Sequence, residues 1–264
     1  MIDFHNHVLP NIDDGSKSLE MSLRMLKHAV EQGITDVVNT VHYQHPKVET
    51  EDISYERIKK KINNLQKELD RNHIPLKLHI GAEVFYLPNL NDVKNDPLAT
   101  FNCCNYMLIE FQVHQLPEGH KEQLFNLKMS GITPIIAHPE RYKFVQNDVS
   151  VASNWLEAGC LLQVDAGSPL GYLGSASQVA SERIIKNGWC HILGSDSHDD
   201  YRRNFCLAKS VDLVKSWIGD SVYPMVFDHP KAIIEGRKII IDFEYEPEKI
   251  PNLWTKIKQK IGLK

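Results

Sequence analysis

The chain has 264 residues, 42% apolar and 24% charged, enough for a large buried core. Its net charge of −4 argues against a nucleic-acid binder that relies on a broad basic surface. No apolar run reaches the ~18 residues of a membrane span, and the opening MIDFHNHVLP lacks the basic and long apolar stretches of a secretory signal.

Met1 to Phe4 reads as a first strand that leads into His5 and His7, with Asp13, Asp14 and Gly15 behind them. Leu19, Leu23, Leu26 and Val30 recur at helical spacing, and Gly33 follows where a helix C-cap belongs. Asp36 to Val41 is the second strand and runs into His42. Ser54 is placed to cap a second helix with Ile58, Ile62, Leu65 and Leu69 on its apolar face. Leu76 to Gly81 runs into Glu83, and Tyr106 to Glu110 ends on its own carboxylate. Thr133 to Ala137 follows Gly131 and runs into His138. Leu161 to Val164 follows Gly159. Cys190 to Leu193 follows Gly188 and runs into Asp196 and His198.

Continuous apolar, β-branched runs suit parallel strands covered on both faces. Strands alternating with helices mean a parallel α/β architecture, and the length fits a single seven-stranded (β/α) barrel, closed or nearly so. Six of the strands deliver His, Asp or Glu at their C-terminal ends, the end where barrels build active sites. The candidates are His5, His7, Asp14, His42, Glu83, Glu110, His138, Asp196 and His198. Imidazoles and carboxylates gathered at one mouth are ligands for Mn, Fe or Zn. So many exceed the needs of one ion and imply two or three divalent ions with bridging carboxylates.

The ordered motifs HNHVLPNIDDG, the lone strand-end His42, GAE, LIEF, AHPERY, AGSPLGYLG and GSDSH resemble the PHP superfamily. Within it they are similar to the CpsB/CapC branch of bacterial tyrosine-protein phosphatases of capsule and exopolysaccharide synthesis, over Met1 to about Gly236. The resemblance implies a distorted seven-stranded TIM-like barrel over residues 1–237 with three metals, manganese foremost. It assigns His5, His7, Glu83 and Asp196 to a first ion. Glu83, Glu110 and His138 would hold a second, and Asp14, His42 and His198 a third. The motif position just before Gly15 selects Asp14 over Asp13. Arg141 and Arg203 match positions suited to gripping phosphate oxygens. Arg202 is the neighbour that competes with Arg203, and Glu140 could instead pair Arg141 at the surface. Tyr43 replaces a histidine of the branch and is expected on the substrate side.

This points to a cytoplasmic, metal-dependent phosphotyrosine phosphatase whose partner is a bacterial tyrosine kinase. A small-metabolite phosphatase, such as one for histidinol phosphate, is the second reading. A non-catalytic metal-binding regulator is the third. The five cysteines contain no C-x-x-C pair, which suits reduced thiols in the cytosol. The sixth residues after them are Ile109, Glu110, Ala166, Asp196 and Asp212, so the C-x5-R chemistry of cysteine-dependent phosphatases is excluded. His28, His45, His73, His79, His114, His120, His191 and His229 are taken as ordinary, although His45 and His114 fall on mouth loops. The extension 238–264 is expected to be helical at its end. There Leu253, Trp254, Ile257 and Ile261 form a lysine-flanked face that could dock on the barrel, on a partner, or on an anionic membrane surface.

Overall fold

The computed structural model describes residues 1–46, 48, 53–101 and 105–239. The terminal-helix expectation, the membrane-contact expectation and the pair Cys103–Cys104 fall outside the described residues. Strands β1 (Ile2–Asn6), β2 (Asp36–Tyr43), β3 (Lys77–Phe85), β4 (Tyr106–Glu110), β5 (Thr133–Ala137), β6 (Leu161–Asp165) and β7 (Ile192–Gly194) form one parallel sheet in chain order. Helices α1 (Leu19–Glu31), α2 (Tyr55–Arg71), α3 (Leu90–Val93), α4 (His120–Met129), α5 (Lys143–Asn147), α6 (Ser150–Glu157), α7 (Ser175–Lys186), α8 (Leu207–Ile218) and α9 (Asp228–Ile234) lie between or after them. The sheet is near-closed: Asn6 bridges Ser197, and Asp196 N–H donates to His5 O at 2.7 Å.

Two apolar layers result. Phe4, Val38, Leu108, Ile135 and Ile192 fill the barrel interior. A larger layer, including Val37, Leu65, Ile109, Trp155 and Val214, lies between sheet and helices. The helix α2 buries Ile58, Ile62, Leu65 and Leu69, the stripe its spacing predicts. Ser54 occupies its N-cap position but makes no side-chain capping bond. In α1 the fully buried face is Ser22, Met25, Leu26 and Ala29, turned from the expected Leu19–Leu23–Leu26–Val30 stripe. A buried hydroxyl explains the turn: Ser22 Oγ donates to Val8 O at 2.7 Å and so is tolerated inside. Gly33, Gly131, Gly159 and Gly188 all have positive φ, the backbone that helix C-caps require.

One irregularity positions the site. Ile2 pairs with Asp36 and Asp3 with Val37, but Asn6 pairs with Asn39, so β1 carries one extra residue against β2. Such a bulge flips side-chain parity along a strand. Ile2 and Phe4 therefore sit in the interior cluster, while His5 and His7, of opposite parity, reach the mouth above it.

Candidate metal centre

Register brings the ligands together from neighbouring strand ends. His42 on β2 stands beside Glu83 on β3, and Phe85 stands beside Glu110 on β4. Two ligands sit on strained backbone just past their strands: His138 has φ 32° and Asp196 has φ 47°. Left-handed backbone is uncommon outside glycine and is typical of residues whose side chains are aimed for function. Glycines make the room. A Cβ on Gly15 would lie 2.1 Å from His7 O, and one on Gly194 would lie 2.8 Å from His5 Cβ.

The imidazoles are oriented from behind. His5 Nδ1 donates to Gln163 Oε1 at 2.8 Å, His7 Nδ1 to Asp13 Oδ2 at 2.8 Å, and His198 Nδ1 to the Asp196 carbonyl at 2.8 Å. Each bond fixes the tautomer, leaving Nε2 with a lone pair directed at the centre, as in metal-binding histidines. Asp13 also accepts from the Gly15 and His42 backbone N–H groups, whereas Asp14 faces His42 and His198. The Asp-Asp pair thus divides: one carboxylate braces and the other faces the cluster.

Most spacings across the centre are longer than those behind it, the 2.9 Å between His138 Nε2 and Glu83 Oε1 excepted. His5 Nε2 is 3.3 Å from Glu83 and 3.4 Å from Asp196, and His7 Nε2 is 3.5 and 3.3 Å from the same carboxylates. Asp14 Oδ1 is 3.3 Å from His42 Nε2 and 3.2 Å from His198 Nε2. Two donors each about 2.1 Å from a common ion sit roughly 3.0–3.4 Å apart, the edge of a coordination polyhedron. His5 Nε2, His7 Nε2, Glu110 Oε2 and Asp196 Oδ1 are buried with no hydrogen-bond partner. Buried polar atoms left unpaired are costly, and a cation among these lone pairs satisfies all of them. The residues present therefore fit divalent ions. Among the described residues, donor atoms within 4.8 Å of one another form the groups His7–Asp14–His42–His198, His5–His7–Asp196, His5–Glu83–His138 and His42–His45–Glu110. These groups can coordinate two or three divalent ions.

Electrostatics points the same way. Burial alone would lower His5, but Glu83 and Asp196 outweigh it and raise its pKa to about 9. Burial and the nearby Glu83 charge raise Glu110 to about 8. The carboxylates draw positive charge into the centre, where an imidazolium or a cation can answer. His138 goes the other way, lowered to about 4 by burial and by Arg141, so it stays a neutral donor.

The nine candidate ligands converge at one mouth, with two rearrangements. Glu110 Oε1 is 3.7 Å from His138, but its Oε2 turns to His42 and His45. Tyr43 lies outside the cavity: next to His42 on an alternating strand, it points to the other face and donates to Asp96 Oδ2 at 2.9 Å. The substrate-side expectation for Tyr43 is corrected accordingly. Of the competing arginines, Arg203 turns inward and Arg202 stays exposed. Arg203 Nη2 donates to Asp196 Oδ2 at 2.5 Å, and Arg141 Nη1 donates to the same oxygen. Both guanidiniums line a cavity of about 450 Å³ over the cluster, whose apolar wall includes Pro46, Phe85, Phe111 and Val113.

The sequence reading misses one residue and passes over another, placed on a mouth loop, as ordinary. Asp165 ends β6 as Glu110 ends β4, and its Oδ2 is 3.6 Å from Arg141. Every strand but the sixth had been credited with a polar end, so the run LLQVD held the missing one. His45 lies on the loop after β2, where no periodicity marks it. The described cysteines, Cys160, Cys190 and Cys206, are buried with thiols raised by that burial, far from the reactive thiolate state.

The family model for capsular polysaccharide synthesis, CpsB/CapC, matches residues 1–235. The tyrosine-protein phosphatase YwqE of Bacillus subtilis is 28% identical over 240 residues, covering 90% of this chain and 93% of the relative. The tyrosine-protein phosphatase CpsB of Streptococcus agalactiae is 32% identical over 222 residues, covering 81% of this chain and 89% of the relative. A solved structure from the pair YwqE of Bacillus subtilis and CpsB of Streptococcus pneumoniae, described as metal-dependent tyrosine phosphatases, superposes with a TM-score of 0.85. It is 27% identical and covers 91% of this chain and 96% of that one.

Proposed function

Because the chain belongs to the CpsB/CapC family, we propose that it is a metal-dependent protein-tyrosine phosphatase of capsule or exopolysaccharide synthesis. One observation carries the reading: orphaned imidazole and carboxylate lone pairs converge directly beneath two arginines that share Asp196. Its substrate is the phosphotyrosine of a bacterial tyrosine kinase, and it works in the cytoplasm, where its described buried thiols stay reduced.

His5, His7, Glu83 and Asp196 would hold one ion, Glu83, Glu110 and His138 a second, and Asp14, His42 and His198 a third, with manganese the first choice. Bound there, divalent ions acidify water and draw charge from phosphoryl oxygens. The chain's own groups do the rest. Arg141 and Arg203 reach the cavity from separate loops, and their planar guanidiniums suit the non-bridging oxygens of a phosphate dianion. Asp196 holds both arginines in place until the phosphate arrives. The wall of Phe85, Phe111, Pro46 and Val113 offers an apolar face to an aryl group and excludes water from it. A phenol with a pKa near 10 leaves more readily than an aliphatic alcohol and so needs less help from a general acid. Accordingly, no such acid is assigned.

The test is hydrolysis of a phosphotyrosine peptide by metal-stripped protein with and without added Mn, beside a phosphoserine peptide and histidinol phosphate. Mn-dependent turnover selective for phosphotyrosine is expected. Turnover of histidinol phosphate alone would move the substrate, and metal binding without any turnover would overturn the enzymatic reading.

A further inference from the structure

His45 stands three residues beyond His42, outside the assigned ligand set. Its Nε2 lies 3.5 Å from Glu110 Oε2, and its ring sits 4.5 Å from that of His42 and 5.0 Å from Phe85. Glu110 Oε2 is buried without a hydrogen-bond partner. The donors of His42, His45 and Glu110 lie within 4.8 Å of one another.

Most ligand pairs of the centre stand further apart than a direct hydrogen bond, His138–Glu83 at 2.9 Å being the exception. Elsewhere in this protein, away from the cluster, His79 and Asp36 meet at 2.8 Å, a direct hydrogen bond. His45 and Glu110 keep 3.5 Å, matching the 3.2–3.5 Å spacings of His5, His7, His42 and His198 to their carboxylates. Such spacing is that of two donors about 2.1 Å from one ion. Glu110 is also the carboxylate whose two oxygens look in different directions, Oε1 to His138 and Oε2 to His45.

We propose that His45 is a metal ligand that, with Glu110, completes the coordination of one ion on the His42 side of the centre. The inference rests on the metal-centre reading but not on the identity of the substrate. It also gives Glu110 a bridging role, with one oxygen to each side.

The experiment counts ions rather than turnover. Metal-stripped wild type, His45→Ala, His45→Phe and His45→Glu are dialysed against graded Mn, and bound ions are counted by mass spectrometry. Visible spectra are recorded after loading with Co(II). His45→Phe keeps a ring against His42 and Phe85 but offers no lone pair, which separates ligation from stacking. The expected result is that Ala and Phe lose one ion, or bind one class at least tenfold more weakly, and change the Co(II) spectrum. Glu restores both. If the Ala or Phe variant folds and its isotherm superimposes on wild type, the proposal is overturned. If wild type binds no divalent ion, the metal-centre reading itself fails. If Ala does not fold, the Phe and Glu pair decides by the same comparison.

Discussion

Asp13 accepts the Nδ1–H of His7 at 2.8 Å, and this bond points the opposite nitrogen of His7 toward Glu83 and Asp196. Asp13 is thus a brace for a metal-facing imidazole. Such supporting carboxylates orient the imidazole and raise its basicity, and so its metal affinity. Asp13→Ala is expected to weaken binding of one ion about ten- to a hundredfold, read by metal titration. Unchanged affinity would make Asp13 only a loop residue.

Tyr142 ties two ligand-bearing strands together. Its hydroxyl accepts from Phe111 N at 2.9 Å and donates to Ala137 O at 2.8 Å, next to Glu110 and His138 respectively. Tyr142→Phe keeps the ring, which lies 6.0 Å from that of Phe111, but leaves a buried N–H unpaired. Leaving such a group unpaired costs roughly 1–3 kcal/mol. A denaturant titration should show that loss, with weaker metal binding at the Glu110 end of the centre.

Arg141 and Arg203 share one oxygen of Asp196 and line the same cavity. Arg141→Ala and Arg203→Ala are each expected to lower kcat/KM about 10²- to 10³-fold, the usual effect of losing a charge-stabilising donor. At saturating Mn the ion count should not fall, because neither guanidinium is itself a ligand, while affinity at the Asp196 ion should drop, since both arginines brace that carboxylate. Arg141→Lys should recover little, since an ammonium cannot present the same fork. Full activity in Arg203→Ala with Arg202 intact would show that the loop swaps its arginines.

His191 supplies a pH dependence away from the metal centre. It is buried, and Leu162 N–H donates to its Nδ1 at 3.2 Å, so that nitrogen must stay unprotonated. Burial, helped by His229, lowers its pKa to about 4. Above pH 6.5 neither state takes up a proton there. Between about 6.5 and 4 the unfolded chain binds one that the native state refuses, so stability falls as pH falls, by roughly 3 kcal/mol over that window. His191→Gln should lack this component. Melting of wild type and variant from pH 8 to 4 should diverge only below about 6.5, and parallel curves would rule the role out.

Much of this was legible because barrel strands announce themselves. The runs that end in Glu110 and Ala137 are strands to the residue, and His42 beside Glu83 follows from simple register. Side-chain choices were less legible. Asp13 and Asp14 are adjacent in a loop, and which one braces depends on the fold of Gly15 over His7. Tyr43 is expected on the substrate side because it replaces a histidine of the family motif, yet strand alternation sends it to Asp96. His45 follows no period, since a loop folded back over β4 places it. The bulge in β1 was also invisible, because an extra residue leaves no mark on so short a run.

The seam between Asn6 and Ser197 has a consequence for biosynthesis. The chain's first histidines meet Asp196 only when β7 arrives, roughly 190 residues later, as the Ser195–His5 hydrogen bond shows. Contacts of such long sequence separation form late and slow folding. A nascent chain still missing β7 therefore presents His5 and His7 without Asp196 and His198. Cations captured before β7 joins the sheet would meet an incomplete set of donors, so metal loading is a closing event of maturation rather than its nucleus.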